Sequence, residues 1–240
     1  MTRPCFAARA RRQAGFSLIE IAIVLVIVGL MIGGLVTPLT VQMEQRKVAE
    51  TQKALDEAKE ALTGYALRYG YLPCPAVSSM NGLEDRRGPR CNGEKRIGFL
   101  PWATLGLRKS DSWNNLFRYS VTPAFSDSEQ QFSLGTPRDI SIVTRNGGAL
   151  VQATALNDIP AMVMSHGKNG YGAISEQGRR QAGVAGNNVD ERSNAASSNV
   201  FISRAAGGDG QPGGAFDDIV VWLSPNILFN RMVVAQRLPR

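Results

Sequence analysis

A chain of 240 residues, 43% hydrophobic and 20% charged, is long enough to bury a core and is neither a disordered tail nor a polytopic membrane protein. Its net charge of +7 does not mark a nucleic-acid binder. Arg3, Arg9, Arg11 and Arg12 lie in the first fifteen residues, which hold no acid, so 23 basic residues face 20 acidic ones after them. No later Lys/Arg cluster resembles a phosphate-tracking stripe.

An apolar run, Phe16–Val36, follows the basic leader with one charge in it, Glu20. At helical rise it spans about 30 Å, the thickness of a bilayer's hydrocarbon core. Four arginines precede it, and the mixed charges Glu44, Arg46 and Lys47 follow. That asymmetry predicts a cytoplasmic N-terminus and a single span, with everything beyond Pro38 across the membrane. A secretory signal peptide has a shorter apolar region and a small-residue cleavage site, and Gly33-Gly34-Leu35-Val36-Thr37 makes a poor one. A plain anchor fits the run but leaves Glu20 without a task, although a carboxylate there costs about 2.5–3.5 kcal/mol on insertion scales. Four residues after Phe16, it shares a helical face with that side chain.

The string Gly15-Phe16-Ser17-Leu18-Ile19-Glu20, after a basic leader and before an apolar helix, resembles the processing site of type IV prepilins and type II secretion pseudopilins. The likeness covers roughly residues 10–70. It implies cleavage between Gly15 and Phe16 by a prepilin peptidase on the cytoplasmic face, then methylation of the Phe16 amine. The apolar segment is kept, and Glu20 takes the family's acidic role. Physically, the new α-amine, with an ordinary pKa near 8, would neutralise Glu20 of a neighbouring subunit. Such a pair adds little net stability but penalises misalignment, and so sets the helix stagger in a filament. A Glu20 snorkelling at the membrane face without a partner is the plainer reading.

The helical signal continues past the span. Val41, Val48, Leu55, Leu62 and Tyr69 recur every seven residues with Ala58 and Tyr65 beside them, and Glu44, Lys47, Glu50, Lys53, Glu57 and Glu60 lie around the stripe. This predicts an amphipathic helix, with Pro38 kinking rather than ending it because the period resumes. A dimeric coiled coil would show the same stripe. The prolines at 73 and 75 end the helix. Strands are predicted at Leu116–Thr122, Ile140–Thr144, Ala161–Ser165, Asn199–Ser203 and Asp218–Leu223. The Gly-, Asn- and Ser-rich stretch Gly167–Gly214 is predicted as long irregular loops, and Pro225–Leu238 as a final amphipathic helix. The fold class expected is α+β: a long kinked N-terminal helix packed on a small antiparallel-sheet head. The domains expected are a cleaved leader, 1–15; a transmembrane and assembly helix, 16–38; an amphipathic helix, 39–70; and a periplasmic or extracellular head, 71–240. An Asp-x-Trp-x-Asn-x-x-x-Tyr pattern ending at Tyr119 is loosely similar to the pre-strand segment of major pseudopilins.

Cys5 would leave with the leader. Cys74 and Cys91 remain as an even pair in a disulfide-permitting compartment, and a bridge would close an 18-residue loop worth about 3 kcal/mol on a chain-entropy estimate. A metal site would need two more ligands, and His166 is the only His. Many type IV pilins instead close a C-terminal loop with their disulfide. Ser165-His166-Gly167 lacks the frame of a nucleophile turn, so His166 is expected to make a structural hydrogen bond. Gly167-Lys168-Asn169-Gly170 reads as a turn rather than a phosphate loop. Asp217 and Asp218 beside Asp209 could give oxygens to calcium, as some pseudopilin heads do, but a solvated acidic turn is favoured.

No catalytic residue, metal or cofactor is expected, and no enzyme activity. The expected role is a structural subunit, a pseudopilin or minor pilin. It would sit in the bacterial inner membrane and be extracted into a type II secretion or type IV pilus-type filament. Its partners would be other pilins or pseudopilins, the prepilin peptidase/methyltransferase, the inner-membrane assembly platform and membrane lipid, with no direct nucleic-acid binding. The competing reading is a single-span, membrane-anchored envelope enzyme or binding domain with a chance prepilin-like leader.

Overall fold

The computed structural model describes residues 17–183 and 185–238, apart from the side chains of 32–38. It divides into two compact units, residues 1–46 and 47–240. Helix α1, Leu18–Tyr69, runs through Pro38 without interruption. It stops where Gly70 turns to φ +84°, its N–H donating to the Ala66 carbonyl at 2.8 Å, a cap that glycine adopts without steric cost. Among the described residues no helix is long and apolar enough to cross a membrane. The described side chains of the apolar run end at Met31, and the remainder of the expected span falls outside them.

In the second unit, strands β1 (Arg86–Arg87) and β2 (Arg90–Cys91) form a short hairpin, followed by β3 (Ile97–Phe99), the one-turn helix α2 (Trp102–Leu105) and β4 (Arg118–Val121). Next come β5 (Ser141–Asn146), β6 (Ala149–Gln152), β7 (Ala161–Ser165), helix α3 (Val189–Ala195), β8 (Val200–Ile202), β9 (Ile219–Trp222) and helix α4 (Pro225–Val234). One sheet is antiparallel with the order β3-β4-β7-β9. The other, β6-β5-β8, departs from the expected antiparallel pattern because β5 and β8 pair in parallel.

The period-2 alternation of the four-stranded sheet explains how the core is divided. Tyr119, Val121, Ala161, Val163, Val221 and Leu223 face one way and pack with Leu55, Ala58, Leu62 and Ala66 of α1 and with Leu228 and Met232 of α4. Met162, Met164 and Val220 face the other way, against Ile140, Ile142, Ile159 and Phe201. Strand β7 is therefore buried on both faces, as all five of its residues are, which is why AMVMS reads as a continuous apolar run. The heptad stripe of α1 is buried at Leu55 and Leu62, whereas Val48 stays 44% exposed.

The five predicted strands appear as β4, β5, β7, β8 and β9, and the final helix as α4. Three features differ from expectation. The stretch Gly167–Gly214, expected as irregular loops around the predicted strand, also holds helix α3. Strand β6 carries no burial alternation, since all four residues are exposed. The short strand β3 pairs with β4 through backbone alone around Gly98, where a Cβ would strike the Ala76 carbonyl and the Pro75 ring.

Candidate functional site

Gly15 and Phe16, the expected cleavage junction, lie outside the described residues. Immediately after them Ser17 and Glu20 form a reciprocal cap. The Ser17 N–H donates to Glu20 Oε2 at 2.7 Å and its hydroxyl to the same oxygen at 2.9 Å. The Glu20 N–H donates back to Ser17 Oγ at 3.3 Å. This is a capping box, which satisfies helix-start donors that have no partner in the helix. The spacing Ser17-x-x-Glu20 carries this capping signature in the sequence itself. Glu20 thus has a local structural role within one chain. Beyond the cap, residues 21–31 are apolar, and their large side chains are exposed on every face, from Val28 at 43% to Leu30 at 73%. A helix apolar all round is one that lipid or other helices cover.

In the second unit the structure brings Cys74 and Cys91 together as a disulfide with Cα atoms 5.3 Å apart. The bridge is not alone in holding the segment between them. Glu84, absent from the sequence reading, accepts the Tyr65 hydroxyl at 3.0 Å, the Cys74 N–H at 3.0 Å and Arg86 Nε at 3.1 Å. Arg86 donates onward to the carbonyls of Pro89 and Ser126, each at 2.8 Å, and its guanidinium lies 4.6 Å from the Tyr71 ring centre. A charged network of this kind replaces the water that the irregular segment would otherwise need. Burial and the neighbouring Glu84 carboxylate push the Tyr65 phenol far above its ordinary range, so it donates at any relevant pH.

The Asp-x-Trp-x-Asn-x-x-x-Tyr pattern has a structural explanation. Asp111 Oδ1 accepts the N–H groups of Trp113 and Asn115, both at 2.9 Å, an Asx turn leading into β4. Its Oδ2 accepts the Ser165 hydroxyl at 2.6 Å, and Tyr119 donates to the Pro73 carbonyl at 3.1 Å. Burial raises the Asp111 carboxyl against these donors. Ser165 is therefore committed to a buried hydrogen bond at the end of β7.

The acidic pair before β9 does not form the expected solvated turn. Asp218, expected in a solvated turn, is 5% exposed, while Asp209 is exposed. Carboxylate oxygens of Asp217, Asp218 and Glu191 lie within 4.8 Å of one another. Glu191, on α3, accepts Asn169 Nδ2 at 2.7 Å, the Asp217 N–H at 3.0 Å and Asn188 Nδ2 at 3.0 Å. Asp217 accepts the Asn169 N–H at 2.8 Å, and Asp218 accepts Asn194 Nδ2 at 2.8 Å. Gly167 sits at φ +62° with its Cα against the Asp217 carboxylate, where a Cβ would clash. His166, expected to make a structural hydrogen bond, has the Tyr171 backbone as a partner for its ring, while its Nδ1 has none. It is 2% exposed, and burial, with the Arg118 charge nearby, holds its pKa down to about 3. Burial pushes the Asp218 carboxyl well above its ordinary range, and the neighbouring Glu191 and Asp217 add to that. Sequence reading missed Glu191 because Val-Asp-Glu-Arg looks like an exposed helix start, and no periodicity shows which acid turns inward.

No curated protein and no solved structure gives a significant match to the chain. One family model does match, described as the prokaryotic N-terminal methylation motif, and it covers residues 10–36. It spans the end of the basic leader, the Gly15-Phe16 junction, the Ser17–Glu20 cap and the apolar run. The chain thus carries a prokaryotic N-terminal methylation motif, the leader type of type IV prepilins and pseudopilins.

Proposed function

We propose that the chain is a pilin-like structural subunit, a pseudopilin or minor pilin, rather than an enzyme. The observation that carries this reading is the methylation motif over residues 10–36, with a helix beginning at Leu18, directly after the expected junction. In this reading prepilin peptidase cuts between Gly15 and Phe16 and the Phe16 amine is methylated. Residues 16–38 hold the subunit in the bacterial inner membrane with its N-terminus cytoplasmic and its head periplasmic. The assembly platform then draws it into a filament with other pilins. The loose likeness around Asp111–Tyr119 favours the secretion branch.

Intact mass of the membrane-extracted protein tests the reading. A chain starting at methylated Phe16 is expected in cells with an active prepilin peptidase, and Gly15→Ala is expected to leave an uncleaved precursor. Retention of residues 1–15 in the parent protein would overturn the proposal in favour of an anchored envelope domain.

A further inference from the structure

A cleft of about 240 Å³ opens at the end of the four-stranded sheet, and two arginines, Arg118 and Arg180, line it together with His166, Phe99, Leu116 and Ser197. Among the described residues no acid lines it. Arg118 is the first residue of β4, opposite Phe99 of β3 and Met164 of β7. Alternation places it on the face of the sheet that carries Met162 and Met164 rather than the face that packs on α1. A guanidinium at the edge of an apolar cluster is an expensive choice unless something answers its charge.

The protein answers only part of it. Arg118 Nη2 donates to the Ala196 carbonyl at 2.7 Å, but Nε is buried and has no hydrogen-bond partner. Burial lowers the Arg118 pKa, the Asp218 charge works against that, and the Arg180 charge works with it. The two guanidinium groups are therefore close enough to repel. Asp218 stands outside the cleft lining and accepts Asn194 Nδ2 with one of its oxygens. Arg180 is exposed, and among the described residues its side chain makes no hydrogen bond or ion pair.

Charge and size discriminate among the occupants. A cation would meet two positive groups and no acid in the lining. Water could satisfy Arg118 Nε but would leave the two like charges facing each other. An oxyanion does both: it accepts from Arg118 Nε, offsets both charges, and offers oxygens to the planar fork of Arg180 and to the Ser197 hydroxyl. Burial holds the His166 pKa down to about 3, so the positive charge of the cleft comes from the arginines and is present at neutral pH. The volume is far above the roughly 10–15 Å³ that holds one water and below the roughly 300 Å³ at which pockets for drug-sized ligands begin. A small ligand fits it.

We propose that this cleft binds a small oxyanionic ligand through a phosphate or carboxylate group, with Arg118 as the inner contact and Arg180 as the outer one. The site belongs to the head alone and does not depend on processing at Gly15-Phe16.

The experiment titrates the full chain in detergent with inorganic phosphate, sulfate or succinate by calorimetry, with thermal unfolding alongside and sodium chloride as the control for ionic strength. One anion per chain is expected, with Tm rising as it is added. The tighter of phosphate and succinate identifies the group the site takes. Arg180→Gln, an exposed change, is expected to leave the Tm of the anion-free protein unaltered and to weaken binding about tenfold or more, the loss of one charge-assisted contact. Arg118→Gln is expected to weaken it further; if that variant does not fold, the parent and Arg180→Gln measurements decide alone. Absence of saturable binding of all three anions overturns the proposal. So does binding that is indifferent to Arg180→Gln, or that sodium chloride displaces as well as the oxyanions do.

Discussion

Ser17 and Glu20 answer each other across the first turn of α1, and this separates two roles for one carboxylate. Glutamine serves a capping box as glutamate does, so Glu20→Gln is expected to keep the helix start while losing the charge. Ser17→Ala is expected to cost about 1 kcal/mol at that start, read as faster amide exchange in the first turn. If Glu20→Gln protein is processed, inserts and keeps first-turn protection but fails to crosslink into the filament, the charge acts between subunits. Normal incorporation would reduce Glu20 to a cap. Asp127 makes a second case at this scale. Burial would raise its carboxyl, but the N–H groups of Gln130 and Glu129, with the Arg90 guanidinium, outweigh burial and hold it below its ordinary range. The folded state then binds its proton less readily than the unfolded one. Its contribution is present above the unfolded value of about 3.9 and is lost as pH falls through the lower folded one. In denaturation at pH 7 and pH 3, the stability gap between the parent and Asp127→Asn is expected to narrow at the acid end. A gap that does not change would refute the assignment.

The segment between Cys74 and Cys91 is held twice, by the disulfide and by Glu84 with Arg86. Chain entropy alone gives the bridge about 3 kcal/mol, and removing the part-buried charged acceptor Glu84 from its donors costs about 1–3 kcal/mol. Because both act on one segment, their effects are not expected to add. A double-mutant cycle of Cys91→Ser with Glu84→Ala, read by chemical denaturation, should show a coupling of about 0.5 kcal/mol or more; strict additivity would mean the two devices are independent. Protein carrying either change is expected to be processed normally at Gly15-Phe16, since that reaction precedes the head in space and in chemistry.

Across the whole head, the two faces of the four-stranded sheet carry separate clusters of buried side chains, and the loops beyond them need their own fastening. Asp190 supplies part of it. Its wholly buried carboxylate pairs with Arg145 at 2.7 Å and with Arg204 at 2.8 Å, joining α3 to β5 and to the chain after β8. The Arg204 guanidinium lies 4.5 Å from the Phe216 ring centre. Removing one member of a buried ion network leaves the others uncompensated, so Asp190→Ala is expected to cost about 3–5 kcal/mol in an unfolding titration. A loss below about 1 kcal/mol would show that water takes the carboxylate's place.

What the sequence by itself determined is whatever depends on neighbours along the chain. The basic leader, the Gly15-Phe16 junction, the apolar run, the end of α1 at Gly70 and strands such as β7 are all written in local order, and a short motif or a period of two or seven residues is enough to read them. The even pair of cysteines was legible for a similar reason, since few partners were possible. The tertiary structure alone decided which polar residues turn inward. Glu84, Asp190, Glu191 and Asp218 belong to stretches that look solvated, and only the approach of distant segments strips water from them and supplies Tyr65, Arg145, Asn169 or Asn194 instead. It also decided that β8 joins β5 in parallel, because pairing direction follows from the path of the connecting loops and helix α3 rather than from the residues of either strand.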